Sequence, residues 1–174
     1  MTISLGDLAT AGMWVTTVET DVLVSDPALS RWGISLKYHP KLGVAGITGM
    51  TQAKAAAILT SDQYWPASWN ALPAYLAIPM LSFSVLEGPT QAAFALQRAL
   101  GVKVDGDIGP ATCAAATAAN PSDPLNGLLR RNFEEQWKRL AESPRWLLDG
   151  AGWCGRQAAA MAAGAVVVGL NTRQ

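Results

Sequence analysis

Residues that build metal sites and nucleophilic relays are scarce in this 174-residue chain, which has one histidine, His39, and two cysteines, Cys113 and Cys154. Without a Cys or His pair at ligand spacing a zinc site has nothing to be built from, and neither a Ser-His nor a Cys-His relay is expected. No metal or cofactor is therefore expected. Whether the two thiols pair depends on a fold that their spacing does not reveal. Charge is sparse as well: only 15% of residues are charged, and 13 Lys and Arg balance 13 Asp and Glu. That balance excludes the broad basic face of a nucleic-acid-binding protein and leaves room only for a local basic cleft. Long apolar runs are missing. The best, Ala158 to Leu170, is well short of the ~20 residues that cross a bilayer and follows Arg156, so it reads as a buried or docking helix. Met1 to Leu8 has no basic segment leading into an apolar run, so no ordinary secretory signal is expected and the chain reads as made in the cytoplasm.

What is present is a large apolar fraction, 50%, enough for one compact unit with a true core. Alternating β-type runs are short and isolated, as at Val22–Val24 and Val166–Val168, whereas helix signals recur. A first helix is predicted over Ser4–Val18, placing Glu19 at or just past its end. Thr20 to Gly46 is rich in turn residues and reads as a long connection with at most short elements. Helices follow over Thr51–Gln63, with Thr48 and Thr51 as candidate N-caps, and over Pro73–Leu86. Gly88-Pro89 and Gly109-Pro110 both read as helix starts, since proline at the first helical position gives up no hydrogen bond. The helix from Pro89 stops at Gly101, a natural C′ residue. Another is expected over Pro124–Ala141, with Asp123 as N-cap, an apolar stripe through Leu125, Leu128, Phe133, Trp137 and Leu140, and Glu134-Lys138 and Glu135-Arg139 pairs outside. The last runs over about Trp153–Val168. The expected fold is all-α, with six or seven helices. Asp105-Gly106 reads as a tight turn, because the other ligands of a calcium loop are missing.

One stretch carries more than local structure. Leu96-Gln97, then Leu100-Gly101, then Asp105-Gly106, Gly109-Pro110 and Thr112 resemble the "LQ-x-x-LG … DG-x-x-GP-x-T" signature of peptidoglycan-binding modules. In matching order around it stand Ile47-Thr48, Tyr64-Trp65, Leu72-Pro73 and Gly88-Pro89 before, and Arg130-Arg131 and Gly152-Trp153 with Arg156 after. On these residues most of the chain resembles glycoside hydrolase family 108, the all-α cell-wall muramidases with a built-in peptidoglycan-binding half. The resemblance implies a lysozyme-like catalytic half over 1–87 and a peptidoglycan-binding-like helical half over 88–174, packed as one unit. It implies peptidoglycan as partner, action at the periplasm or cell wall, and settings such as an endolysin, a phage-like particle or a secretion apparatus.

The family attributes its chemistry to a glutamate after the first helix, followed by two glycines. Here Glu19 fills that position, followed by Thr20 and Asp21. The family's Asp-Pro-Gly-Gly loop corresponds to Asp26-Pro27-Ala28, and Ser82 and Leu86 stand where relatives show Asp and Asn. Glycosidic hydrolysis needs one protonated carboxyl and usually a second ionised one. Glu19 is the candidate acid and Asp26 and Asp21 the available partners, Asp26 across a cleft and Asp21 otherwise a substrate contact or a solvated carboxylate. Trp32, Tyr64, Trp65 and Trp69 are candidates for a glycan groove, where rings stack on the C–H faces of sugars, or else belong to the core. The alternative to an enzyme is a catalytically degenerate peptidoglycan-binding or structural component.

Overall fold

The computed structural model describes residues 2–19, 29–142 and 146–171. Ser4 opens helix α1 (Leu5–Glu19) with a reciprocal cap. Its Oγ accepts from the Asp7 N–H at 3.1 Å while Asp7 Oδ2 accepts from the Ser4 N–H at 2.8 Å, which satisfies two otherwise orphaned donors. The residues that precede it are tied down by the Ile3 N–H donating to the Leu72 carbonyl at 3.0 Å.

The turn-rich connection contains a minimal antiparallel hairpin, β1 (Ser30–Arg31) and β2 (Ile34–Ser35), with Arg31 opposite Ile34. Its two-residue turn has positive φ at both Trp32 (54°) and Gly33 (78°), the geometry that matches strand twist. Short helices α2 (Gly43–Thr48) and α3 (Gln52–Leu59) follow. Thr51 caps α3 by accepting from the Lys54 N–H, whereas Thr48 bonds back within α2. Helix α3 ends at Leu59, before the predicted Gln63, and two short 3₁₀ segments (Ala67–Ala71 and Ala74–Leu76) lead into α4 (Ala77–Glu87). Prolines at 66, 73 and 79 account for this broken stretch, since each removes a backbone donor.

Helices α5 (Pro89–Leu100), α6 (Pro110–Ala118), α7 (Ser122–Glu142) and α8 (Trp146–Asn171) complete an all-α architecture of eight helices among the described residues. The pattern reads α5 to the residue. Helix α7 starts earlier than expected: Asn120 Oδ1 accepts from the Ser122 N–H at 3.3 Å and from Ser122 Oγ at 3.0 Å, so Asn120 rather than Asp123 closes the entry. The side chains of Phe133, Trp137 and Leu140, expected on the α7 stripe, lie outside the described residues.

One core joins both halves. It runs from Val15 and Leu59 through Trp65, Leu76 and Phe83 to Leu96, Ile108 and Leu128. The Ala- and Val-rich segment belongs to α8, which packs on α4 and α7 with Ala160, Met161 and Gln157 buried. Gly164 lies against the Tyr75 backbone so closely that a Cβ would sit 2.6 Å from its carbonyl oxygen. No helix among the described residues is long and apolar enough to cross a membrane.

Candidate functional site

Glu19 is the last residue of α1. Two residues back, Thr17 Oγ1 accepts from Gln52 Nε2 at 3.2 Å, which pins this helix end to the start of α3. On the hairpin, Arg31 Nη1 donates to the Thr48 carbonyl at 2.5 Å, at the end of α2. The helix end bearing Glu19 and the hairpin bearing Trp32 are therefore anchored to the same short α2–α3 junction. Asp21 and Asp26, the candidate carboxylate partners, lie outside the described residues.

Trp32 is half-buried against the core. Its left-handed backbone costs roughly 1 kcal/mol for a bulky residue, so the surrounding contacts must hold it there. Trp65 and Trp69 take the core alternative: each is 2% exposed, their rings meet edge to face with centroids 5.2 Å apart, and Trp65 Nε1 donates to Asn70 Oδ1. Buried this way, neither ring offers a face to a sugar, which corrects the expectation of a groove role for both. Tyr64 is different. It is half-buried and its hydroxyl lies 2.9 Å from His39 Nε2.

Around Tyr64 the hairpin-side lobe meets the α4–α5 corner in a groove of about 360 Å³, lined by Tyr38, Gln63, Tyr64, Ser84, Glu87 and Pro89 among others. An adjoining groove of about 590 Å³ shares Tyr38 and Gln63 and continues over His39, Lys41 and Ile58. Burial lowers the His39 pKa from its ordinary 6.5, keeping a neutral imidazole beside the phenol. Burial, with the nearby Tyr38, raises that of Tyr64. The two grooves offer the polar atoms of Tyr64 and His39, the charged Lys41 and Glu87, and the exposed ring of Tyr38. Tyr38, His39 and Gln63 were missed in the sequence; a Tyr-His pair before Pro40 has no spacing signal.

The peptidoglycan signature proves to be scaffold. Gln97, 1% exposed, donates through Nε2 to Asp105 Oδ1 at 2.7 Å and to the Asp107 carbonyl at 2.9 Å, while its Oε1 accepts the N–H groups of Asp105 and Gly106. One amide thereby fills all four of its hydrogen-bonding positions. Gly106 has φ 81°, and a Cβ there would meet the Phe94 ring at 2.9 Å. The Asp105 pKa falls below the ordinary carboxylate range because Gln97 and then the Asp107 N–H donate to its charged form. Cys113, next to the signature, is a buried free thiol whose pKa burial raises; Cys154's side chain lies outside the described residues. No metal-ligating cluster occurs among the described residues.

Helices on either side of a short hairpin lobe define an all-α, lysozyme-like unit; the Glu19 side chain lies outside the described residues. Residues 91–145 match the family model described as a predicted peptidoglycan domain. Among solved structures, the chain is similar to Brucella abortus SagA, at 26% identity and a TM-score of 0.74 over 94% of this chain and 96% of that one. No curated protein sequence matches it. The fold is thus a peptidoglycan-related, lysozyme-like one.

Proposed function

We propose that the protein is a glycoside hydrolase that cuts the glycan strands of peptidoglycan, with Glu19 as general acid. The observation carrying this reading is the whole-chain similarity to a solved structure combined with the peptidoglycan-domain match over 91–145. In the proposed step the Glu19 carboxyl gives its proton to the glycosidic oxygen as the bond to the anomeric carbon breaks. Water adds to that carbon and gives its proton to a carboxylate, for which Asp26 is the candidate and Asp21 a lesser one. Trp32, Tyr64 and Tyr38 are the rings proposed to hold the strand.

A second reading, a binding or structural component that has lost catalysis, is favoured by one observation. Ser82, standing where family 108 enzymes show an Asp, is fully buried and accepts from Gln157 Nε2 at 3.1 Å. A polar position of the resembled family has here become an internal hydrogen bond. An endolysin, a phage-like particle and a secretion apparatus are the settings proposed for either reading. Release of soluble muropeptides from purified sacculi, wild type against Glu19→Gln, separates them. The enzyme reading expects release by the wild type and a loss of at least about 100-fold in the variant. Sacculi that bind the wild type and release nothing would establish the second reading.

A further inference from the structure

The α5–α7 contact holds a basic pocket that the reading above does not use. Gly127 of α7 lies so close to α5 that a Cβ on it would fall 2.4 Å from the Ala99 Cβ. Beside this crossing a cavity of about 260 Å³ opens, lined by Arg98, Ala99, Asn126, Gly127, Arg130 and Arg131. Three arginines line it in a chain whose net charge is zero. Among the described residues one carboxylate, Glu134, answers them: its two oxygens pair with Arg130 Nε at 3.2 Å and Arg131 Nη1 at 2.5 Å. The expected Glu134-Lys138 pair is therefore not formed, and Lys138 pairs with Glu135 instead. Arg98 reaches the pocket from the other helix and is steadied by the Phe94 ring, with its guanidinium carbon 5.6 Å from the centroid.

The geometry points to an oxyanion site for the free carboxylates of the peptidoglycan stem peptide; this assignment rests on the peptidoglycan reading above. Guanidinium forks bind planar carboxylates with two parallel hydrogen bonds, and among the described residues three of them against one internal carboxylate leave positive charge to be met from outside. The Asn126 amide adds a neutral donor to the lining. The pocket lies within the segment matched by the peptidoglycan-domain model, away from the α1 end where the hydrolytic step is proposed. It would hold the peptide while the glycan is engaged elsewhere.

The test is co-sedimentation of the full chain with purified sacculi on ice, comparing wild type, the Arg98→Gln/Arg130→Gln double variant and Glu134→Gln. Native sacculi are set against sacculi whose carboxyls have been converted to amides. Both arginines of the double variant are exposed, and an unchanged melting temperature confirms its fold. The expected result is binding weakened about tenfold or more in the double variant, tightened in Glu134→Gln, and reduced for wild type on amidated sacculi to the level of the double variant. Equal pelleting of wild type and double variant on native sacculi overturns the site alone. Wild type that never pellets overturns the peptidoglycan reading and the site with it. Release of bound wild type by inorganic phosphate but not by equimolar acetate reassigns the pocket to a phosphate-bearing ligand and overturns the stem-peptide assignment.

Discussion

The end of α5 and the end of α1 are opposites. At the first, Gln97, Asp105, Gly106 and Asp107 form a closed hydrogen-bond knot in which each signature residue has a defined structural partner. At the second, among the described residues, Gln52 Nε2 donates to Thr17 Oγ1 two residues before Glu19, whose own side chain lies outside the described residues. The segment most recognisable in sequence is thus one whose residues are consumed in holding the backbone.

Mutations at the knot should give the largest losses of stability. Gln97→Leu removes four hydrogen bonds and strands buried polar groups, so chemical denaturation should show a loss of roughly 3 kcal/mol; Gly106→Ala, strained in φ and pressed on Phe94, should lose about 2 kcal/mol. Near-neutral values for both would erase the contrast. The two Gly-Pro starts sharpen it. Gly88 has φ 88°, while Gly109 is extended, with φ −93°, and a Cβ on Gly109 meets only Asp107 Oδ2 at 3.6 Å. Gly88→Ala should therefore cost about 1 kcal/mol and Gly109→Ala a few tenths, read as a difference in melting temperature. At the hairpin, Trp32→Asn relieves a left-handed bulky residue and loses some packing, so stability should change by less than about 1 kcal/mol while muropeptide release falls. A stability loss with unchanged release would make Trp32 purely structural.

The smallest effect is acid sensitivity. Unfolded His39 titrates near the ordinary 6.5 and the folded one lower. Just below 6.5 the unfolded chain therefore binds more protons, and acidification begins to erode stability. Asp105 adds to this in a lower window: its folded pKa lies under the ordinary 3.8, so the stability it contributes above 3.8 is lost as pH falls through the folded value. Denaturation midpoints across pH should decline in these two windows, and Asp105→Asn should remove the lower one.

Much of the helical frame was legible, because α5 combines proline at its start, a clean apolar face and a glycine stop, and Thr51 caps α3 as its residue type predicts. The hairpin was not, since its turn is Trp32-Gly33 where Asn-Gly is the usual signal. Gly88 and Gly109 look identical in sequence and differ in backbone conformation. Helix α8 begins at Trp146, before the expected Trp153, in a stretch whose glycines blurred the period. For the site, the position of Glu19 at a helix end followed from the α1 pattern. The Tyr38–Tyr64 groove and the Arg98–Arg130–Arg131 pocket did not, because each is assembled from residues on separate elements.

The most direct test of the account is muropeptide release from purified sacculi by wild type and Glu19→Gln, at matched melting temperatures. Release by the wild type and at least about a 100-fold loss in the variant are expected. Equal release by both would contradict it by removing Glu19 from the chemistry.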